Sequence, residues 1–273
     1  MQNLVLTEKK RRGRPSTKNL THVPSIINFD KVDKLKNLDI DVKMLETMAS
    51  GLVLDELISY EGGIPKATNI MCGGSPGIGK TTVLLDLLAS VKNKDKSLKV
   101  LFISAEMGKK QMFKYTQRFP YFGNVDTLFT SDFNKFNSKD VIEQILAKGY
   151  DLVLIDSVAE IVEAVREDNN WDRKTTESWL VDICVSNNKG ENDIKKYTSF
   201  IHIQQFTKGN EFAGSNRLKH LMDATVKMLV EDEIKHIIFT KNRNGQSGVK
   251  LDFNLMNDKI IYGVVSDADE DDM

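Results

Sequence analysis

The chemistry most readily named from residue type and spacing lies in Gly74, Ser75, Pro76, Gly77, Ile78, Gly79, Lys80, Thr81 and Thr82. The first eight fit G-x-x-x-x-G-K-[ST], the Walker A pattern. Glycines there let the backbone turn so tightly that successive amides, and those opening the next helix, point at phosphate oxygens. The Lys80 ammonium would neutralise β- and γ-phosphate charge, and the Thr81 hydroxyl would hold Mg²⁺. A glycine-rich turn can match the pattern by chance, so the flanks decide. ATNIMCGG, ending at Gly74, reads as a short apolar strand, and Thr81 to Val91 as a helix with Val83, Leu84, Leu87, Leu88 and Val91 on one face.

A second group completes such a site. Leu152, Val153, Leu154 and Ile155 form an apolar run that ends in Asp156. Desolvating a carboxylate is costly, so an acid at a buried strand end needs a cation or a hydrogen-bonding partner. The Mg²⁺ shell of a bound nucleotide supplies one, making Asp156 a Walker B acid. ATP and Mg²⁺ are the expected cofactors.

These residues need a framework to hold them. KVLFISAE (Lys99 to Glu106), YDLVLID and Tyr197 to Gln205 read as buried strands, with helices over Met107 to Arg118, Ser138 to Lys148 and near Thr176 to Ser186. A polar stretch, Arg166 to Thr176, precedes the last helix. ATVKMLVED, KHIIFTK, GVKLDFN and KIIYGVV then follow as short strands with little room for helices between them. Strands that alternate with helices, followed by hairpins, predict an α/β fold: a mostly parallel central sheet with C-terminal antiparallel strands. Before all this, Val32, Leu35, Leu38, Val42, Leu45 and Met48 recur every three or four residues, predicting a helix within residues 30–50.

The 273 residues suffice for one sizeable core. With 40% hydrophobic and 28% charged residues, and no apolar run near the roughly 20 a membrane span needs, the composition is that of a soluble globular protein. Cys72 and Cys184 make neither a metal-ligand pattern nor a disulfide framework, and no signal peptide is evident, so a cytoplasmic setting, bacterial or that of a virus-infected host, is expected. The net charge of −1 hides two opposed ends: KKRRGRPSTK has six basic residues and no acid, and DADEDDM has five acids and no base. We divide the chain into a disordered basic arm over 1–25, a core over 26–265 and an acidic tail over 266–273.

The core resembles a known superfamily. LDELISYEGGIPKATNIMCGGSPGIGKTT, Leu54 to Thr82, is similar to the entry of the ATPase core of RadA/Sms, KaiC and other RecA-superfamily proteins. FISAEM resembles the RadA and DnaB-type helicase segment whose glutamate orients or deprotonates the attacking water, a role that would fall to Glu106. QFTKGNEFAGSNRLKHLMDATVKM, Gln205 to Met228, is similar to the RadA stretch from γ-phosphate sensor to DNA-binding loop. Gln205 stands at the sensor position, where RadA commonly has histidine; Lys208, Phe212 and Arg217 become candidate DNA contacts. KNRNGQSG resembles KNRFG of RadA and K-x-R-N-G-x-x-G of DnaB-type helicases, in which the Lys and Arg reach the nucleotide of an adjacent subunit. The resemblance therefore implies a ring, hexameric in such helicases, or a filament, with Lys241 and Arg243 acting between subunits and contributing roughly 10³ to 10⁵ in rate. RadA's four-cysteine zinc module has no counterpart among these residues, so RadA's whole activity does not transfer.

Within the arm, RRGRPSTKN resembles an AT-hook, with Arg12 and Arg14 suited to a narrow minor groove. A solvated tail making only phosphate contacts explains the same residues; if all six charges met duplex phosphates, the log–log salt slope would change by about −5. Trp171 and Phe212 are the candidates for stacking on single-stranded bases, and each has packing within its own domain as the alternative. The acidic tail would suit a basic or replication-protein partner, or serve solubility alone. Together these imply an ATP-dependent motor on single-stranded or branched DNA, a helicase serving replication, recombination or repair. Two alternatives stay open: a strand-exchange recombinase filament, and a KaiC-like regulatory ATPase that does not act on DNA.

Overall fold

The computed structural model describes residues 39–206 and 216–268. Among them, nine strands form one sheet in the order β11-β10-β9-β8-β3-β7-β6-β4-β5. The parallel half comprises β3 (Asn69–Gly74), β4 (Val100–Ser104), β5 (Asp126–Phe129), β6 (Leu152–Asp156), β7 (Ser199–Gln204) and β8 (Ala224–Glu231). From β8 the sheet continues antiparallel through β9 (Ile234–Asn242), β10 (Val249–Leu255) and β11 (Ile260–Asp267).

Burial follows from this division. Every residue of β3, β4, β6 and β7 is buried, because helices cover both faces of a parallel sheet, and β4 and β6 are correspondingly near-continuous apolar runs. On one face α2 (Lys80–Lys94) packs Leu84, Leu87, Leu88 and Val91 against Cys72, Phe102 and Leu154. On the other, α4 (Ser138–Ala147), α5 (Val158–Asn169) and α6 (Arg173–Asn188) enclose Ile103, Val153 and Phe200. β8 alternates buried and half-buried residues, and β11 is mostly exposed. That last strand runs to Asp267, pairing Ser266 with Lys250 and Asp267 with Val249, two residues into the stretch assigned to the acidic tail.

Three sequence expectations are corrected. Over the described part of 30–50 there is no α-helix: Val42–Leu45 is a 3₁₀ turn, and β1 (Thr47–Met48) pairs with β2 (Ile64–Pro65). Tertiary contacts overrode the period. Met48 is buried opposite Ile64, Lys66 donates its amide to the Glu46 carbonyl, and the Asp55 carboxylate gathers the amides of Ser50 and Gly51, while Val42 and Leu45 stay exposed. Second, α5 was not anticipated, although Val158, Ile161, Val162 and Val165 bury one helical face. The polar stretch Arg166 to Thr176 is mostly the end of α5 and the start of α6, which is capped by Asp172 accepting from the Thr175 amide at 2.6 Å. Third, β5 escaped the reading, being four residues of mixed burial at the sheet edge.

Candidate active site

β3 delivers the glycine-rich loop to one end of the sheet, and α2 opens at its last glycine. Gly79 has φ +115°, a backbone conformation that favours glycine, and Leu255 Cδ1 lies where a Cβ would come. Lys80 is the first residue of α2, and its Nζ donates to the carbonyls of Gly74 at 2.8 Å and Ser75 at 3.0 Å, which keeps the ammonium against the loop. Thr82 is buried in the first turn behind it.

Two strands away, Asp156 ends β6 at 2% exposure, and Thr81 Oγ1 donates to its Oδ2 at 2.6 Å. The two residues read separately as metal ligands thus meet. Burial pushes the Asp156 carboxyl up to about 6, against the Thr81 hydrogen bond; the Glu106 charge adds to the rise and Lys80 opposes it. A carboxylate and a hydroxyl converging in a largely desolvated spot are hard oxygen donors, the kind Mg²⁺ takes alongside water and phosphate, so these residues fit that ion. Glu106 follows β4, with its amide directed at the Asp156 carbonyl, 3.3 Å away. Gln205, just past β7, offers its Nε2 to Glu106 Oε1 at 3.4 Å. Loop, acid, glutamate and glutamine therefore share one cleft of 330 Å³.

The cleft has a wall that the sequence did not disclose. On α3 (Lys109–Arg118), Met112, Tyr115 and Arg118 succeed one another at three-residue steps; Met112 is buried, and the other two line the cleft. Arg118 also donates from Nε to the Asn257 carbonyl and from Nη2 to that of Met256, each at 3.0 Å, which holds the β10–β11 turn, and so Leu255, at the lip. Behind it, Asp86 of α2 accepts from Tyr121 at 2.6 Å and from Tyr262 of β11 at 2.8 Å, fastening the helix that bears Lys80 to the antiparallel strands. The helical spacing in FKYTQR was the available signal.

Lys241 and Arg243 lie elsewhere. Gly74 pairs with Met228 and Met228 with Ile237, whereas Ile70 pairs with Ala224 and Ala224 with Asn242. The KNRNG segment therefore sits at the opposite end of the sheet from the phosphate loop, about 10 Å or more along the strands. Lys241 Nζ donates to the Met222 carbonyl at 2.5 Å, and Arg243 Nη1 to Asp223 Oδ1 at 3.1 Å. Burial and the Arg243 charge lower the Lys241 pKa, with Asp223 pulling the other way.

Of the candidate DNA contacts, Trp171 is half-buried and packs on the core beneath α5 and α6. Arg217, on α7 (Asn216–Leu221), is exposed and ion-paired with Asp182. Arg12, Arg14, Lys208 and Phe212 lie outside the described residues. Among the described residues no helix is long and apolar enough to cross a membrane.

Comparison with known proteins bears on the fold and its relatives. The family model of the AAA domain matches residues 53–186. The DNA repair protein RadA of Rickettsia prowazekii is 30% identical over 206 residues, covering 73% of this chain and 43% of that protein. RadA of Rickettsia bellii is 29% identical over 239 residues, covering 85% and 49%. The chain spans less than half the length of either relative. Among solved structures, a KaiC-like protein of Pyrococcus horikoshii matches with a TM-score of 0.60 at 16% identity, over 81% of this chain and all of that one. The flagellar accessory protein FlaH of Methanocaldococcus jannaschii matches with a TM-score of 0.58 at 12% identity, over 80% and 100%. At these identities the two structures speak to the fold.

Proposed function

We propose that this chain, a P-loop ATPase of the RecA superfamily distantly related to the RadA DNA repair proteins, hydrolyses Mg·ATP at sites shared between copies of itself and couples turnover to movement on single-stranded or branched DNA. The observation that carries the reading is the separation of the phosphate loop from Lys241 and Arg243 across the length of the sheet. Two cations held that far from their own cleft can act on phosphate only in another copy, so the working species is a ring or filament.

Within one copy, the backbone amides around Gly77 and Gly79 and the start of α2 bind phosphate oxygens, and Lys80 turns from its two carbonyls to neutralise their charge. Thr81 and Asp156 would hold Mg²⁺, which would offset phosphate charge when bound. Glu106 orients the attacking water and accepts its proton. Gln205, in contact with Glu106 and two residues before 207–216, links phosphate occupancy to that segment. The DNA assignment draws on the similarity of Gln205 to Met228 to the DNA-facing stretch of RadA, and on the RadA relatives.

The test is ATP turnover measured across protein concentrations, with and without single-stranded DNA. We expect turnover per copy to fall on dilution and to rise when DNA is added. Turnover per copy that is independent of concentration would remove the shared site. Concentration-dependent turnover that DNA leaves unchanged would favour a regulatory ATPase directed at proteins.

A further inference from the structure

Asp223 occupies the joint between α7 and β8, and its two carboxylate oxygens face different parts of the fold. Oδ2 accepts the amide of Asn69 at 2.9 Å, where β3 begins, and the Asp223 amide donates to the Asn69 carbonyl at 2.7 Å. Oδ1 accepts from Arg243 Nη1 at 3.1 Å, and the Arg243 amide donates to the Asp223 carbonyl at 2.9 Å. The carboxylate is pinned by the backbone of the strand that leads into the phosphate loop, so it cannot swing out with the arginine. Its side chain is 22% exposed against 56% for Arg243. A guanidinium has five N–H donors, and one bond to Asp223 leaves others for a phosphate.

The rest of the loop is equally fixed. Asn242 Nδ2 donates to the carbonyls of Leu57 at 2.9 Å and Ile58 at 3.1 Å, at the end of α1 (Leu54–Ile58), while its Oδ1 accepts the amides of Asn244 and Gly245. Gly245 has no room for a side chain: a Cβ would lie 2.7 Å from Asn242 Nδ2 and 3.0 Å from the Leu57 and Ile58 carbonyls. An ion pair as exposed as Asp223–Arg243 adds little to fold stability. What the arrangement supplies is direction.

We propose that Asp223 is the positioning residue of Arg243, fixing the guanidinium that one copy presents to the nucleotide of the next. This rests on the reading above, that Arg243 acts between copies. Full-length Asp223→Asn tests it. An amide has a single oxygen, and keeping the Asn69 bond turns its NH₂ toward Arg243. Because small misplacements of a reacting group cost about 100-fold, kcat should fall by about that factor with the ATP dissociation constant unchanged. Mixing Asp223→Asn with Lys80→Ala should restore turnover, since the second variant lends intact fingers to the intact clefts of the first. A merely destabilised fold would not be rescued in this way.

Arg243→Ala mixed with Lys80→Ala is the control. Recovery in the control but not with Asp223→Asn means that Asp223 serves its own cleft through β3, which overturns the proposal and leaves the between-copies reading standing. Recovery in neither overturns both. An unaltered kcat in Asp223→Asn overturns the proposal outright. If that variant does not bind nucleotide, Arg243→Lys takes its place: it keeps the charge but loses the fork that Asp223 orients. It must show the same kcat deficit and the same recovery, and wild-type turnover would count against the proposal.

Discussion

The parallel half of the sheet and its antiparallel extension put their candidate functional residues at opposite ends. In the parallel half, strands buried on both faces lead into the glycine-rich loop, Glu106 and Gln205 and end in Asp156, gathered around one cleft. In the extension, β9 carries Lys241 at the far end with Arg243 just past it, both held to the joint between α7 and β8. The parallel half supplies the polar lining of the cleft, to which the extension adds Leu255 at the lip, while Lys241 and Arg243 stand outside it. The division also tracks covering: helices shield the parallel half on both faces, whereas Val264 and Val265 of β11 remain exposed.

The strongest way to break the comparison is to disable the pocket alone. Lys80→Ala should abolish turnover and weaken nucleotide binding, because phosphate charge loses its only cation within the loop. Glu106→Gln keeps the size and the contact with Gln205 but cannot take a proton, so it should bind ATP normally and turn over about 10² to 10⁴ times more slowly. Nucleotide titration beside steady-state turnover separates the two. A Glu106→Gln variant with ordinary turnover would exclude that residue from the chemistry.

A smaller effect sharpens the contrast in packing. Leu154 of β6 is fully buried beneath α2, and Leu154→Ala should cost about 2 to 5 kcal/mol through lost burial and a residual cavity. Val264→Ala, at a site 70% exposed on β11, should stay within about 0.5 kcal/mol. Denaturant midpoints report both. Equal losses would mean that the extension is as integral to the core as the parallel half.

How much of this was legible depended on whether local pattern and tertiary setting agreed. GGSPGIGKTT and LVLID announce themselves because phosphate loops and doubly covered parallel strands leave local signatures, and the register then brings Thr81 to Asp156. Val158 to Val165 carried an equally regular period, yet it was passed over between the strand before it and the polar stretch after it, and α5 went unread. Residues 30–50 erred the other way: their period was real, but the described positions Val42 and Leu45 face solvent, and the buried Met48 is in a strand. Tyr115 and Arg118 belong to the cleft only because a turn 138 residues later docks there. Asp223 was invisible for the same reason, since its partner Asn69 is 154 residues away. Spacing in sequence cannot announce such contacts.

The mildest prediction concerns a residue enclosed by the parallel half's double cover. His202 lies in β7 with no exposure, stacked on Phe200 at 5.8 Å between ring centroids, and neither ring nitrogen has a hydrogen-bond partner. Burial lowers its pKa from 6.5 to about 4, since the imidazolium would be desolvated there. Between those values the unfolded chain holds more protons than the folded one, so this contribution to stability is complete above pH 6.5 and is lost as the pH falls toward 4. At pH 5.5 the loss should be on the order of 1 kcal/mol. His202→Leu removes the proton-binding group, so the variant should lose that much less than the wild type when unfolding at pH 7.5 is compared with unfolding at pH 5.5. Identical losses in the two proteins would show that His202 takes up its proton without opening the sheet, and that the cover over this strand is looser than its packing indicates.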